Sequence, residues 1–129
     1  MKELNLFDNE GTAPIIREIN PRAERINTLK RTEHIFYNDP GHAWMEVKYS
    51  DIVMLGINKE ISGYSYRSGD LVYLEEDRDA GIYLNAIFPD ALNNQEFKQF
   101  RDLYIKDRYI EDNIFIRDLR HYYQERSAI

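Results

Sequence analysis

Cysteine is missing from all 129 residues. That removes disulfides, thiolate nucleophiles and Cys-ligated zinc from consideration, and it predicts a cytoplasmic location. No apolar run approaches the roughly 18 residues of a membrane-spanning helix. Met1-Lys2-Glu3-Leu4 has no basic stretch leading into an apolar one, so neither a secretion signal nor membrane association is expected. Glycine and proline are sparse, at six and four. Gly56, Gly63 and Gly69 do not fall in GxGxxG or P-loop spacing, so no phosphate cradle is predicted and no cofactor is expected. The GxSxG elbow and the HxxxH, HExxH and two-His-one-carboxylate metal spacings are absent as well.

What the chain has in excess is tyrosine. Ten Tyr, six Phe and one Trp supply large apolar faces with polar tips that need partners. The length suits one domain with one packed core. Gly11, Pro14 and Pro21 mark residues 1–21 as an extended arm, which leaves 22–129 as a single α+β domain. After Pro21, Ala23, Ile26 and Leu29 recur at helical spacing up to Arg31. Asn38-Asp39-Pro40-Gly41 separates two alternating runs, a hairpin signature. On its second run His42, Trp44, Glu46 and Lys48 share one face, while Ala43, Met45 and Val47 form the better core face. Ser50 to Gly56 reads as a short capped helix with Ser50 as N-cap. A second hairpin is predicted from 62–66 and 70–75, turning at Gly69. Asp79 then caps a helix over 80–88 that Pro89 ends, and Phe97, Phe100, Leu103 and Tyr104 fall at helical spacing. Residues 105–126 stay ambiguous: 109–110 and 114–116 suit strand, 119–123 suit helix. The expected architecture is a small antiparallel sheet of two hairpins with helices between and after them.

Charge is unevenly spread. The net value is −6, and all of the imbalance lies in residues 34–92, with four basic side chains against ten acidic ones. A field of that sign repels phosphate, so direct nucleic-acid binding is disfavoured and a basic protein surface is the expected partner. Four of the acids, Glu75, Glu76, Asp77 and Asp79, crowd into YLEEDRDAG. Structurally, Glu75 and Glu76 mark a strand leaving the core, and Asp77 and Asp79 suit a helix N-terminus. An EF-hand is excluded, because counting from Asp77 puts Ile82 and Phe88 where Gly and Glu are required. Metal or acid/base chemistry would centre on His42, with Glu46 as the second candidate catalytic residue and Glu75 and Asp77 as further ligands. His34 and His42 flank the first hairpin and would approach across its strands. The recognition alternative takes Trp44, Tyr64, Tyr66 and the carboxylates Glu75, Glu76, Asp77 and Asp79 as a partner-binding face.

GHAWMEV at 41–47, LGI at 55–57, EIS-GYSY at 60–66 and LVYLEEDRDAG at 71–81 resemble a group of small phage and mobile-element proteins with a GHxW…LGI…YSY…YLEEDxD pattern. The resemblance covers roughly 34–88 and carries no activity; it implies an accessory role. Glu3-Leu4-Asn5-Leu6-Phe7 is similar to the sliding-clamp docking pentamer Gln-Leu-x-Leu-Phe, with Leu4, Leu6 and Phe7 as anchors and Glu3 replacing the Gln. The function expected is therefore a non-enzymatic binding protein. It would engage a basic surface of a host protein, such as a nucleic-acid-handling or defence enzyme, with inhibition a special case. The alternative is a small metal-dependent or acid/base enzyme around His42 and the 75–79 carboxylates.

Overall fold

The computed structural model of the chain describes residues 20–110 and 114–123. Residues 1–19 of the expected arm, with the anchors Leu4, Leu6 and Phe7, lie outside the described residues, and the arm's last two residues, Asn20 and Pro21, instead cap and open a helix. Helix α1 (Pro21–Leu29) starts where Pro fits the first turn and the Asn20 side chain accepts the Ala23 amide. Strands β1 (His34–Asn38) and β2 (Ala43–Lys48) form the first hairpin, pairing Phe36 with Met45 and Asn38 with Ala43. Helix α2 (Tyr49–Met54) follows directly and stops at Leu55-Gly56, where Gly56 takes φ +75°. Ser50 does not cap α2: it lies inside the helix, and its own amide donates to Asp70 from the neighbouring hairpin turn.

The second hairpin is tighter than expected. Strand β3 (Tyr66–Ser68) turns through Gly69, at φ +61°, into β4 (Leu71–Glu75). Helix α3 (Asp79–Ile87), a 3-10 turn at Ala91–Asn93 and α4 (Gln95–Tyr104) complete the helical part. The tail holds the main departure. Ile105–Tyr109 is a strand, β5, running parallel to β1; Ile114–Arg117 is a helical turn, α5; Arg120–His121 is a strand, β6, antiparallel to β3. The fold is α+β, and its sheet has six strands in the order β5-β1-β2-β4-β3-β6. The two hairpins are its centre, and the tail supplies both edges, which makes the sheet mixed rather than purely antiparallel.

Alternation along the strands gives the sheet two faces. Phe36, Met45, Val47, Val72 and Leu74 point into the main core, against Leu29 of α1, Tyr83 and Ile87 of α3, and Phe97 and Phe100 of α4. Tyr37, Trp44 and Tyr73 point the other way and close a smaller core with Ile116 of α5 and the half-buried Ile35, Tyr66, Ile110 and Leu119. His34 belongs to the main core. Its ring packs on Tyr83 and Phe100, and its Nδ1 donates to the Thr32 carbonyl at 2.8 Å. Burial pushes its pKa down, so it sits there neutral. It stands at the opposite end of β1 from the His42 loop, and the two histidines do not meet.

Candidate functional site

The Asp39–His42 turn sets one wall. Asp39 Oδ1 accepts the amides of Gly41 (2.9 Å) and His42 (2.6 Å), while Oδ2 accepts Arg117 Nη2 (3.0 Å) and Nε (3.3 Å). The Asp39 side chain is 8% exposed. Burial alone would raise its pKa, but the bonds from Arg117 and the two amides outweigh that and hold it below the ordinary carboxylate range. Arg117 Nη2 also lies 2.9 Å from His42 Nδ1. A guanidinium only donates, so Nδ1 accepts and the imidazole proton is on Nε2. The His42 ring stacks on Trp44 at 5.6 Å, and Arg117 Cζ lies 5.1 Å from the centre of the same indole.

From Trp44 a row of rings crosses the sheet. Tyr66 meets the indole edge-on at 6.1 Å, and His121 of β6 packs on Tyr66 at 4.6 Å. His121 Nδ1 donates to the Gly63 carbonyl at 2.6 Å. These rings, together with Tyr64, Glu75, Asp77, Arg78 and Arg117, line a cleft of about 390 Å³. Tyr64 stands at its rim, 75% exposed, while Trp44 is 2% exposed. Trp44 Nε1 is the single buried side-chain nitrogen or oxygen among the described residues that lacks a hydrogen-bond partner. Such a donor retains an unmet need for an acceptor.

The opposite wall is the acidic turn after β4. Glu75 Oε2 accepts the Asp77 amide (2.9 Å) and Oε1 the Arg78 amide (3.1 Å), so Glu75 is the carboxylate that tethers the turn before α3. Burial raises its pKa despite those bonds. Asp79 is fully buried. Its Oδ2 accepts the Ser62 amide (3.0 Å), Ser62 Oγ (2.7 Å) and Ser65 Oγ (2.6 Å), and its Oδ1 accepts Arg78 Nη1 (2.9 Å). Ser65 Oγ in turn accepts the Glu75 amide at 2.9 Å. Asp79 therefore ties the 62–65 turn to the start of α3. It is not the cap of its own helix, nor a surface acid open to a partner.

Of the residues singled out in the sequence, His42, Trp44, Tyr64, Tyr66, Glu75 and Asp77 converge on this cleft. Glu46 does not. It accepts a bond from Tyr73 Oη at 2.9 Å and lines a separate, smaller hollow with Arg25, His34 and Asp51. Four residues along β2, it stands about 13 Å from His42. Glu76 is exposed beside the cleft without lining it. Arg78, Arg117 and His121 complete the lining and escaped the sequence reading. For the last two, the apolar Ile116, Leu119 and Tyr122 between charged neighbours signalled a segment docking on the sheet, though not on which edge.

The acidic charge of 34–92 is not all free to face a partner. Asp39, Asp51 and Asp79, all within the acidic stretch 34–92, bond to Arg117, Arg25 and Arg78, and two of those arginines come from the balanced ends of the chain. Acid/base chemistry finds little support in the geometry: the His42 Nδ1 lone pair takes Arg117, and both Glu75 oxygens take main-chain amides. Among the described residues no three His, Asp or Glu side chains gather as a metal would require, so His42, Glu75 and Asp77 share a cleft without forming a ligand set. No helix among the described residues is long and apolar enough to cross a membrane. Comparison with protein-family models, curated proteins and solved structures finds no match for the chain.

Proposed function

We propose that the chain is a non-enzymatic protein-binding module, with an accessory role, that docks a basic segment of a partner protein in the cleft between the Asp39–His42 turn and the Glu75–Arg78 turn. The observation that carries this reading is the meeting of exposed and half-buried aromatic faces (Tyr64, Tyr66) with the Glu75 and Asp77 carboxylates around one hollow. Ring faces and carboxylates together attract cationic side chains of Lys or Arg, each close contact being worth about 0.5–2 kcal/mol. Tyr and Trp give that surface area at small entropic cost. The face is narrower than the charge of 34–92 suggests, because the ion pairs described above consume part of that charge.

The test uses the single tryptophan as the reporter. The full chain is titrated with the peptide acetyl-Gly-Gly-Arg-Gly-Gly-amide, with the matching Glu peptide as control, and Trp44 emission is followed. A saturable change with the Arg peptide alone is expected, weakened at least about fivefold in Glu75→Gln/Asp77→Asn, the loss of roughly 1 kcal/mol of charge pairing. Equal responses to the two peptides, or none to either, would refute the reading.

A further inference from the structure

Arg117 is the cleft residue whose surroundings are most fully specified. Its guanidinium meets three distinct groups: the Asp39 carboxylate, through Nη2 and Nε; the lone pair of His42 Nδ1, at 2.9 Å; and the indole of Trp44, at 5.1 Å. A carboxylate in the plane, a neutral acceptor beside it and a π face are the features by which proteins recognise an arginine side chain rather than an ammonium, since only a planar fork uses all three together. The pocket is built by elements other than the one that fills it. Asp39, His42 and Trp44 belong to the first hairpin, whose turn is fixed by its own amide bonds to Asp39 Oδ1. Arg117 arrives from α5, 78 residues from Asp39 in sequence and with its side chain 44% exposed.

We infer that the hairpin carries a guanidinium-binding site which Arg117 occupies from within, and that an arginine of the partner takes this site over when it docks. This rests on the proposed function and deepens it by naming arginine, rather than lysine, as the residue recognised. The exchange also has an electrostatic side. With Arg117 in place, Arg78 is paired with Asp79 and Arg117 with Asp39, so an incoming cation meets the charge of Glu75 and Asp77 alone. Once Arg117 swings out, Asp39 loses its bonds from Arg117, and the incoming guanidinium restores them by replacing like with like.

The experiment is chemical rescue. Arg117→Ala is expected to fold with an unchanged far-ultraviolet circular dichroism spectrum and a Tm lower by about 3–6 °C, the size of one lost charge-assisted contact in a domain of this length. Ethylguanidinium at 1–20 mM should return at least half of that loss and shift Trp44 emission back toward the native value. Ethylammonium and sodium chloride at equal ionic strength should not. The same variant should bind the Arg peptide at least about tenfold more tightly than the native chain, and Asp39→Asn introduced into it should abolish both effects. If Arg117→Ala does not fold, Arg117→Lys keeps the charge but loses the fork, and the rescue and the peptide gain are then sought in that background. The inference is overturned if ethylguanidinium acts no differently from ethylammonium, or if emptying the site brings no gain in peptide affinity. Peptide binding to the native chain that depends on Glu75 and Asp77 but is indifferent to Arg117 would sink this inference alone. Absence of any peptide binding would sink the proposed function with it.

Discussion

The two faces of the sheet are built by the same strands and are covered in different ways. On one face Met45, Val72, Leu74, Ile87 and Phe88 are all but fully excluded from water, and among the described residues no buried side-chain nitrogen or oxygen there lacks a partner. On the other, Trp44 and Tyr73 are buried almost as well, yet what covers them is a short tail segment, and beside it lies an open cleft rimmed by charge. Residues one step apart, Trp44 and Met45, thus belong to different regimes. Burial by itself does not separate the two regimes; the nature of the covering layer does.

The sharpest way to break that comparison is to delete volume on the helix-covered face. Leu74→Ala should cost about 2–5 kcal/mol in denaturant unfolding, with peptide binding per folded molecule unchanged. Asp79→Ala removes the acceptor shared by Ser62, Ser65 and Arg78, and about 2–3 kcal/mol of stability should go with it. A loss below about 0.5 kcal/mol would show that the Ser62–Asp79 ties are dispensable.

The histidines offer a comparison in pH. His34 is depressed by burial from its ordinary value of 6.5. As pH falls, the unfolded chain therefore binds the proton first. The stability contributed by neutral His34 is complete above about 6.5 and is lost as pH drops through that value toward the folded-state pKa. The native chain should consequently show a lower Tm at pH 5.5 than at pH 7.5, and His34→Phe should flatten that difference. An unflattened profile would assign the pH dependence elsewhere. The smallest effect on stability is expected at the cleft rim. Tyr64→Ala, at a side chain 75% exposed, should move unfolding by less than about 0.5 kcal/mol while weakening binding of the Arg peptide severalfold.

Much of the helix-covered face was legible in the sequence, because its signals are local. Pro21 opens α1, Pro89 follows α3 closely, and the turn read at Asn38-Asp39-Pro40-Gly41 joins β1 to β2 one residue later, at 39–42. Three of the cleft residues were legible for a similar reason: strand alternation puts Trp44, Tyr66 and Glu75 on one face, with Trp44 paired to Glu75. The tail was not. Ile105–Tyr109, written IKDRY, carries a charge pattern suited to a solvent-exposed edge, and it becomes a strand only by pairing with β1, about 70 residues earlier. Tyr66 finds its second neighbour in His121 in the same way. The acidic stretch misled in a related manner. Which carboxylate holds the turn and which is buried depends on Ser62, Ser65 and Arg78 meeting in space, and a charge tally by segment ignores that Arg25 and Arg117 return to neutralise Asp51 and Asp39.

The central claim is that the tail-covered face, and not the helix-covered one, receives a basic partner. A nitrogen–proton correlation spectrum of the full chain contains one indole signal, that of Trp44, and titration with the Arg peptide tests the claim directly. The account requires that signal to move saturably together with the amides of His42, Tyr66, Asp77 and Arg117, while those of Leu74, Ile87 and Phe100 stay still. A stationary indole signal at millimolar peptide, or shifts spread evenly over both faces, would contradict it.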